Sequence, residues 1–183
     1  MRMRGWGRLV PGLLVAGLAA LAGPECFAAN TIHLFATGAT QGTIEGDSPI
    51  TSLGRENSIV VYEVHHLITR EGTTRKHEPL VFMKRVDKSS PQLYRALDTA
   101  ESLALEFRYY RPDPSGAGAE QQYYTLRLTN AQVAAIEPVT RNVLEQANSS
   151  LPDMERVRET YQQITITYVD GGIEAILTNT GPR

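Results

Sequence analysis

His77-Glu-Pro-Leu-Val-Phe-Met-Lys-Arg-Val-Asp-Lys-Ser-Ser-Pro-Gln-Leu-Tyr-Arg-Ala-Leu97 is the stretch whose reading decides the fold. It is either a nucleophilic serine in a charged setting or a strand that turns into a helix. Pro79 to Val86 reads as a strand. Pro91 then suits a first helical turn, where its missing N–H is no loss. Ser90 is placed to cap that helix by accepting from the N–H of Gln92 or Leu93; alternatively Ser89 is the cap and Gln92 closes a capping box. Leu93 and Leu97 lie four apart and give the short helix one apolar face, which predicts docking on a sheet. A nucleophile would need a base beside it and a group to orient that base. Neither a G-x-S-x-G elbow nor an S-x-x-K motif occurs here.

Working outward, period-two alternation dominates. Thr31 to Thr37 and Ser58 to Ile68 read as strands. Thr69 to Glu78 reads as a polar connection. From Ser102 to Arg111, Leu103, Leu105, Phe107 and Tyr109 share one face, and Ala104, Glu106, Arg108 and Tyr110 take the other. Pro112 to Gln121 is a loop punctuated by proline and glycine. A strand follows, with a bulge or bend expected at Asn130-Ala131. Arg141 to Met154 is a polar connector with room for a helical turn. Glu155 to Asp170 reads as one long strand ending at Gly171-Gly172, and Gly172 to Leu177 pairs once more. Many short strands, little helix and Gly/Pro-bounded turns predict a mainly β sandwich or barrel.

The chain has 183 residues, 42% of them apolar, enough for one core without staples. The N-terminus stands apart. Arg2, Arg4 and Arg8 precede an apolar run from Leu9 to Gly23, and small residues follow. That pattern is a secretory signal peptide, with an apolar core too short for a span of about 20 residues. Cleavage after Ala28 is preferred over Ala29, which would put bulky Phe27 at a small-residue position. The expected organisation is a signal at 1–28 and a single domain at 29–183. Glu25 before Cys26 argues against lipidation, and removal of 1–28 leaves no cysteine for a disulfide. It also leaves 15 basic and 19 acidic residues, from 18 and 20, a net charge of −4 that counts against nucleic acid. No membrane span is expected in the mature chain.

Other constellations are weak. His65 and His66 are consecutive on a strand, so they point to opposite faces and cannot chelate together. His33 or His77 joining one of them lacks metal-ligand spacing. Glu155/Glu159 and Asp153/Glu155 read as an exposed strand face rather than a hydrolytic pair. Gly116-Ala117-Gly118 has no strand–helix frame for a phosphate. Asn148-Ser149-Ser150 is a bare sequon. No catalytic residue, metal ligand or cofactor is expected.

Several ordered segments together resemble one family. They are the opening stretch, Glu106–Gly116, Glu120–Ile136, Leu151–Val157 and Thr160–Gly172, with Ala29–Leu34 and Asp47–His66. They resemble the Hcp family, the tube proteins of type VI secretion systems. The resemblance implies a β-barrel of two packed antiparallel sheets with one short flanking helix. It implies a non-enzymatic protein that closes into homohexameric rings, stacks them into a tube, and holds or protects small effectors. Sheath and spike or tip proteins are the further partners implied, and secretion to the outside the destination. Family members begin at the equivalent of Ala29–Leu34, without a signal. The leader here therefore leaves two alternatives. One is a start codon placed upstream of a cytoplasmically assembled tube protein. The other is an exported relative acting as a periplasmic or extracellular interaction module.

Overall fold

The strands follow the alternating stretches. In chain order they are β1 (Thr31–Gly38), β2 (Gly42–Ile44), β3 (Ile59–His65), β4 (Ile68–Glu71), β5 (Thr74–His77) and β6 (Leu80–Arg85), then helix α1 (Ser90–Asp98), then β7 (Leu103–Pro112), β8 (Glu120–Val139), β9 (Met154–Thr160), β10 (Gln163–Tyr168) and β11 (Ile173–Thr178). This computed structural model describes residues 30–116 and 119–181. The leader at 1–28, with its cleavage positions Ala28 and Ala29, lies outside them. No helix among the described residues is long and apolar enough to cross a membrane.

All pairings are antiparallel. The main sheet runs β11-β10-β8-β7-β1-β3-β6-β9, with β2 added on β1, and β9 pairs back onto β8. The closed ring of strands is therefore β8-β7-β1-β3-β6-β9. The two layers expected of the fold are hydrogen-bonded into one continuous sheet. Closure depends on β8, whose first half pairs β7 and β10 and whose second half, from Gln132, pairs β9. The switch comes at Asn130, which adopts a left-handed φ of 51° beside a register shift. Asparagine tolerates that conformation, and a bulge there bends the strand, as the Asn130-Ala131 pair predicted.

The barrel is filled from opposite walls. Phe82 of β6 meets Phe107 of β7 edge-to-face, centroids 5.3 Å apart. Leu103, Leu105 and Phe107 alternate inward as expected. Tyr110 keeps the opposite face, as expected: it pairs with Thr31 in unbroken register and is buried outside the barrel core, between His33 and Arg55. Close chain approach is needed at Gly46, where a Cβ would stand 2.5 Å from Ile59 Cα and Ser58 O.

Helix α1 lies on β8. Pro91 is its second residue, Leu93 and Ala96 are fully buried, and Leu97 packs partly buried against the core. The expected capping bond is absent. Ser89 stands at the cap, but its hydroxyl donates to Asp87 Oδ1 at 2.5 Å. Ser90 Oγ donates to Glu155 Oε1 at 2.7 Å. Each hydroxyl is aimed at a carboxylate through a charge-assisted hydrogen bond, and that orientation turns its oxygen away from the first helical N–H groups.

Three further stretches depart from the sequence reading. The polar connection at 69–78 is the β4–β5 hairpin, with Gly72 at φ 58° in its two-residue turn. Its outward residues carry no apolar alternation to betray it. The single strand expected from Glu155 breaks at Tyr161-Gln162 into β9 and β10, which pair with different halves of β8 and take β6 and β11 as their other neighbours. Glu155 and Glu159 are buried, not exposed, because β9 turns them into the barrel with Val157. Asp153 is exposed.

Candidate functional site

Ser58 and His33 form the pair that most resembles a catalytic dyad. His33 of β1 is fully buried, with Nδ1 2.7 Å from Ser58 Oγ. The hydrogen-bond directions rule out activation of the serine by this ring. Ser58 has one proton, which it donates to the Arg55 carbonyl at 2.7 Å. Nδ1 must then donate to Ser58, so it cannot act as that serine's base. Burial, and then the Arg55 charge, lower the His33 pKa to about 4 against the opposing Glu120. Arg55 is itself fully buried. It ion-pairs with Glu120, donates to the Ser52 carbonyl at 3.0 Å and to Thr31 Oγ1 at 3.2 Å, and lies 4.5 Å over the Tyr110 ring. The cluster fastens the 52–58 loop to β1 and β8.

A second cluster joins α1 to the barrel wall. Lys84 of β6 is fully buried. Its Nζ lies 2.6 Å from Glu155 Oε1, 2.9 Å from Asp87 Oδ1, 3.0 Å from Ser90 Oγ and 2.8 Å from the Arg85 carbonyl. Ser90 also accepts from the Asp87 N–H at 3.1 Å. Thus the serines singled out in the sequence are brought together with Lys84 and Glu155, in a structural network closed to solvent. No spacing signal announces it, because Glu155 is far from Lys84 in the chain.

A third cluster gathers two of the four histidines. Tyr161 Oη, buried, lies 2.6 Å from His66 Nε2 and 2.9 Å from His77 Nδ1. Burial raises the Tyr161 pKa to about 12. His65 points the other way and pairs with Glu63 on the surface, so the opposite-face expectation for His65 and His66 describes their placement. Among the described residues, no group of three or more His, Cys, Asp or Glu is placed to hold a metal ion.

The surface offers different material. β11 is an edge strand, paired only with β10, and exposes Ile173 and Ile176. At the β8–β9 connection, Val143 and Leu144 stand 73% and 91% exposed. That loop is built rather than loose: Asn142 Oδ1 accepts from the Leu144 N–H at 3.1 Å, and Asn148 Nδ2 donates to the Asn142 carbonyl at 3.0 Å. Side chains this apolar, on a free edge and a fixed loop, suit contact with another chain.

Known proteins share this architecture. A family model described as type VI secretion system effector, Hcp, matches residues 35–168. The "Major exported protein" of Pseudomonas aeruginosa is 33% identical over 128 residues, 65% of this chain and 73% of that protein. The solved structure of a mutant Hcp1 protein from E. coli EAEC 042 matches with a TM-score of 0.69 and 30% identity, covering 82% of this chain and 98% of that one. The secreted protein Hcp3 from Pseudomonas aeruginosa matches with a TM-score of 0.69 and 26% identity, covering 84% and 100%.

Proposed function

The chain belongs to the Hcp family of type VI secretion proteins, and from that premise we propose that residues 29–183 form a single ring-building domain without enzymatic activity. Copies close head-to-tail into hexameric rings, the rings stack as the inner tube, and the lumen carries or protects small effector proteins. Sheath and spike or tip proteins are its further partners. The observation that carries this proposal is the pairing of a closed barrel with an open, apolar edge at β11. A head-to-tail ring uses two different patches per subunit and can cover such an edge. The His33–Ser58 arrangement supports the non-enzymatic part, since its hydrogen bonds run against nucleophile activation.

The arginine-flanked apolar leader favours a second proposal. In it the chain is exported through residues 1–28, cleaved after Ala28 or Ala29, and works as a periplasmic or extracellular interaction module on the same barrel. In the tube proposal the chain is cytoplasmic until it is secreted. Native mass spectrometry of untagged protein from host fractions tests both. A cytoplasmic hexamer that starts near Ala29 without processing is the outcome expected for the tube. A processed hexamer found only outside the cytoplasm selects the exported module. A monomer in every fraction overturns the ring.

A further inference from the structure

The β4–β5 hairpin is a separate two-stranded sheet beside the barrel. Of its eight strand residues only the facing pair Ile68 and His77 is not exposed. Its attachment is therefore local to its base. Ile68 packs partly buried on the core, and His66 and His77 both reach Tyr161 at the β9–β10 corner. A cleft of about 370 Å³, lined by Glu71, Arg75, His77 and Asn179 among others, runs beneath the rest.

Proton counting shows what this anchor tolerates. A tyrosine hydroxyl has one proton to give and lone pairs to accept with. With both imidazoles neutral, the hydroxyl donates to one ring and accepts from the other, and the hydroxyl and both ring nitrogens that face it are served. With both imidazoles charged, each ring can only donate. The Tyr161 proton then loses its acceptor. His77 Nε2 is buried with no hydrogen-bond partner among the described residues, so protonation would also create a charged donor with nothing to receive it. Such a group is costly to bury.

We propose that Tyr161, His66 and His77 form a proton-operated latch that holds the β4–β5 hairpin on the barrel at neutral pH and releases it when the imidazoles take up protons. The surrounding charges offer no relief. On β5, Arg75 repels a protonated His77, and Lys76 is paired with Glu78. On β3, Glu63 is occupied by His65. Glu71 of β4 is exposed and screened. On β9, Glu159 has its carboxyl held well above the usual range by burial, so at acid pH it is neutral and supplies no counter-charge. The 179–181 segment contributes Asn179, whose side chain bonds the Tyr161 carbonyl at 3.2 Å. Both imidazoles are lowered from their ordinary 6.5, His66 by burial and then by His77, His77 by burial and then by Arg75. The closed state therefore binds fewer protons than the open one. Its stability is present above pH 6.5 and is lost as pH falls below it.

Once undocked, a two-stranded hairpin is marginal in water, so release appears as loss of amide protection. Hydrogen exchange of the purified protein, corrected for the intrinsic pH dependence of exchange, should show residues 66–78 losing about tenfold in protection between about pH 7.5 and about pH 5. Peptides from β1 and β7 should hold theirs. A variant carrying both His66→Gln and His77→Gln should show no such slope. Tyr161→Phe should leave the hairpin unprotected at both pH values. The latch is overturned by flat protection in the wild type. A loss shared equally with the barrel, or a slope that survives in the double glutamine variant, overturns it as well. The readout concerns the hairpin alone, so it stands or falls separately from the oligomer mass.

Discussion

Glu155 and Glu159 sit four residues apart on the same inward face of β9, and both are buried. Glu155 meets the Lys84 ammonium and the Ser90 hydroxyl. Glu159 lies opposite Leu80 of β6 and Val133 of β8, and neither of its oxygens has a hydrogen-bond partner among the described residues. One strand thus carries a carboxylate in a complete network at one end and an orphan at the other. Burial alone does not set the state of a buried acid; what the neighbouring strands place opposite it does. Glu155 has a cation and a hydroxyl for partners, whereas Glu159 has none and is pushed well above the usual carboxylate range by burial.

The largest effect is expected from breaking the satisfied end. Lys84→Met keeps the length of the side chain and removes its charge. It strands the buried Glu155 and the partly buried Asp87 without their cation. Breaking a buried pair in this way costs about 3–5 kcal/mol, and urea denaturation measures it. A loss near zero would mean water reaches Glu155 freely. Next comes Leu93→Ala. The helix carries both the serines and the fully buried Leu93, and we propose that Leu93 and Leu97 dock it. Loss of the Leu93 side chain should cost roughly 2–5 kcal/mol, with Leu97→Ala costing less because that residue is only partly buried. Equal costs would mean that α1 rests on the two leucines alike.

The same contrast marks what a single sequence reveals. The wall made by Leu103, Leu105 and Phe107 is legible because local alternation sets which face each side chain takes. Pro91 announced a helix and Asn130 a bend, since φ preferences are local too. Leu93 followed from helical spacing. The fates of Ser89, Ser90 and Glu155 were not legible. Their hydroxyls and carboxylate answer to Lys84 and Asp87, and only strand pairing between β6 and β9 brings Lys84 and Glu155 together. In β9, Glu155, Val157 and Glu159 alternate with Arg156 and Arg158, so both faces look charged. The Tyr161 cluster was half visible. His66 and His77 were noted, but the tyrosine that joins them lies on a different strand connection.

At the orphan end the expected sign is reversed. Glu159→Met replaces an unpartnered polar group by an apolar one of similar length. It should stabilise by about 1–3 kcal/mol, the cost of a buried polar group left without a bond. The pH dependence gives a second check. The native carboxyl retains a proton that the unfolded one, near its ordinary 4.5, releases. Its contribution is fully present below pH 4.5 and is lost as pH rises from there through the raised native value. Glu159→Met should flatten that part of the stability profile. An unchanged profile would show that Glu159 is solvated in solution.

The smallest effect is expected from Ser89→Ala. The Ser89 hydroxyl donates to Asp87 Oδ1, but that oxygen also receives the Ser89 N–H at 2.9 Å and lies 2.9 Å from Lys84 Nζ. Removing the hydroxyl leaves the carboxylate served, so the cost should be no more than about 0.5–1.5 kcal/mol, that of one hydrogen bond. Ser90→Ala should cost more, because the Ser90 oxygen sits between Lys84, Glu155 and the Asp87 N–H. Measured on the wild type and on Lys84→Met, the two substitutions form a pair of cycles. Ser90 should couple to Lys84 and Ser89 only weakly. Strong coupling for Ser89 would place Asp87, rather than Glu155, at the centre of the network and move the satisfied end of the comparison from β9 to the turn before α1.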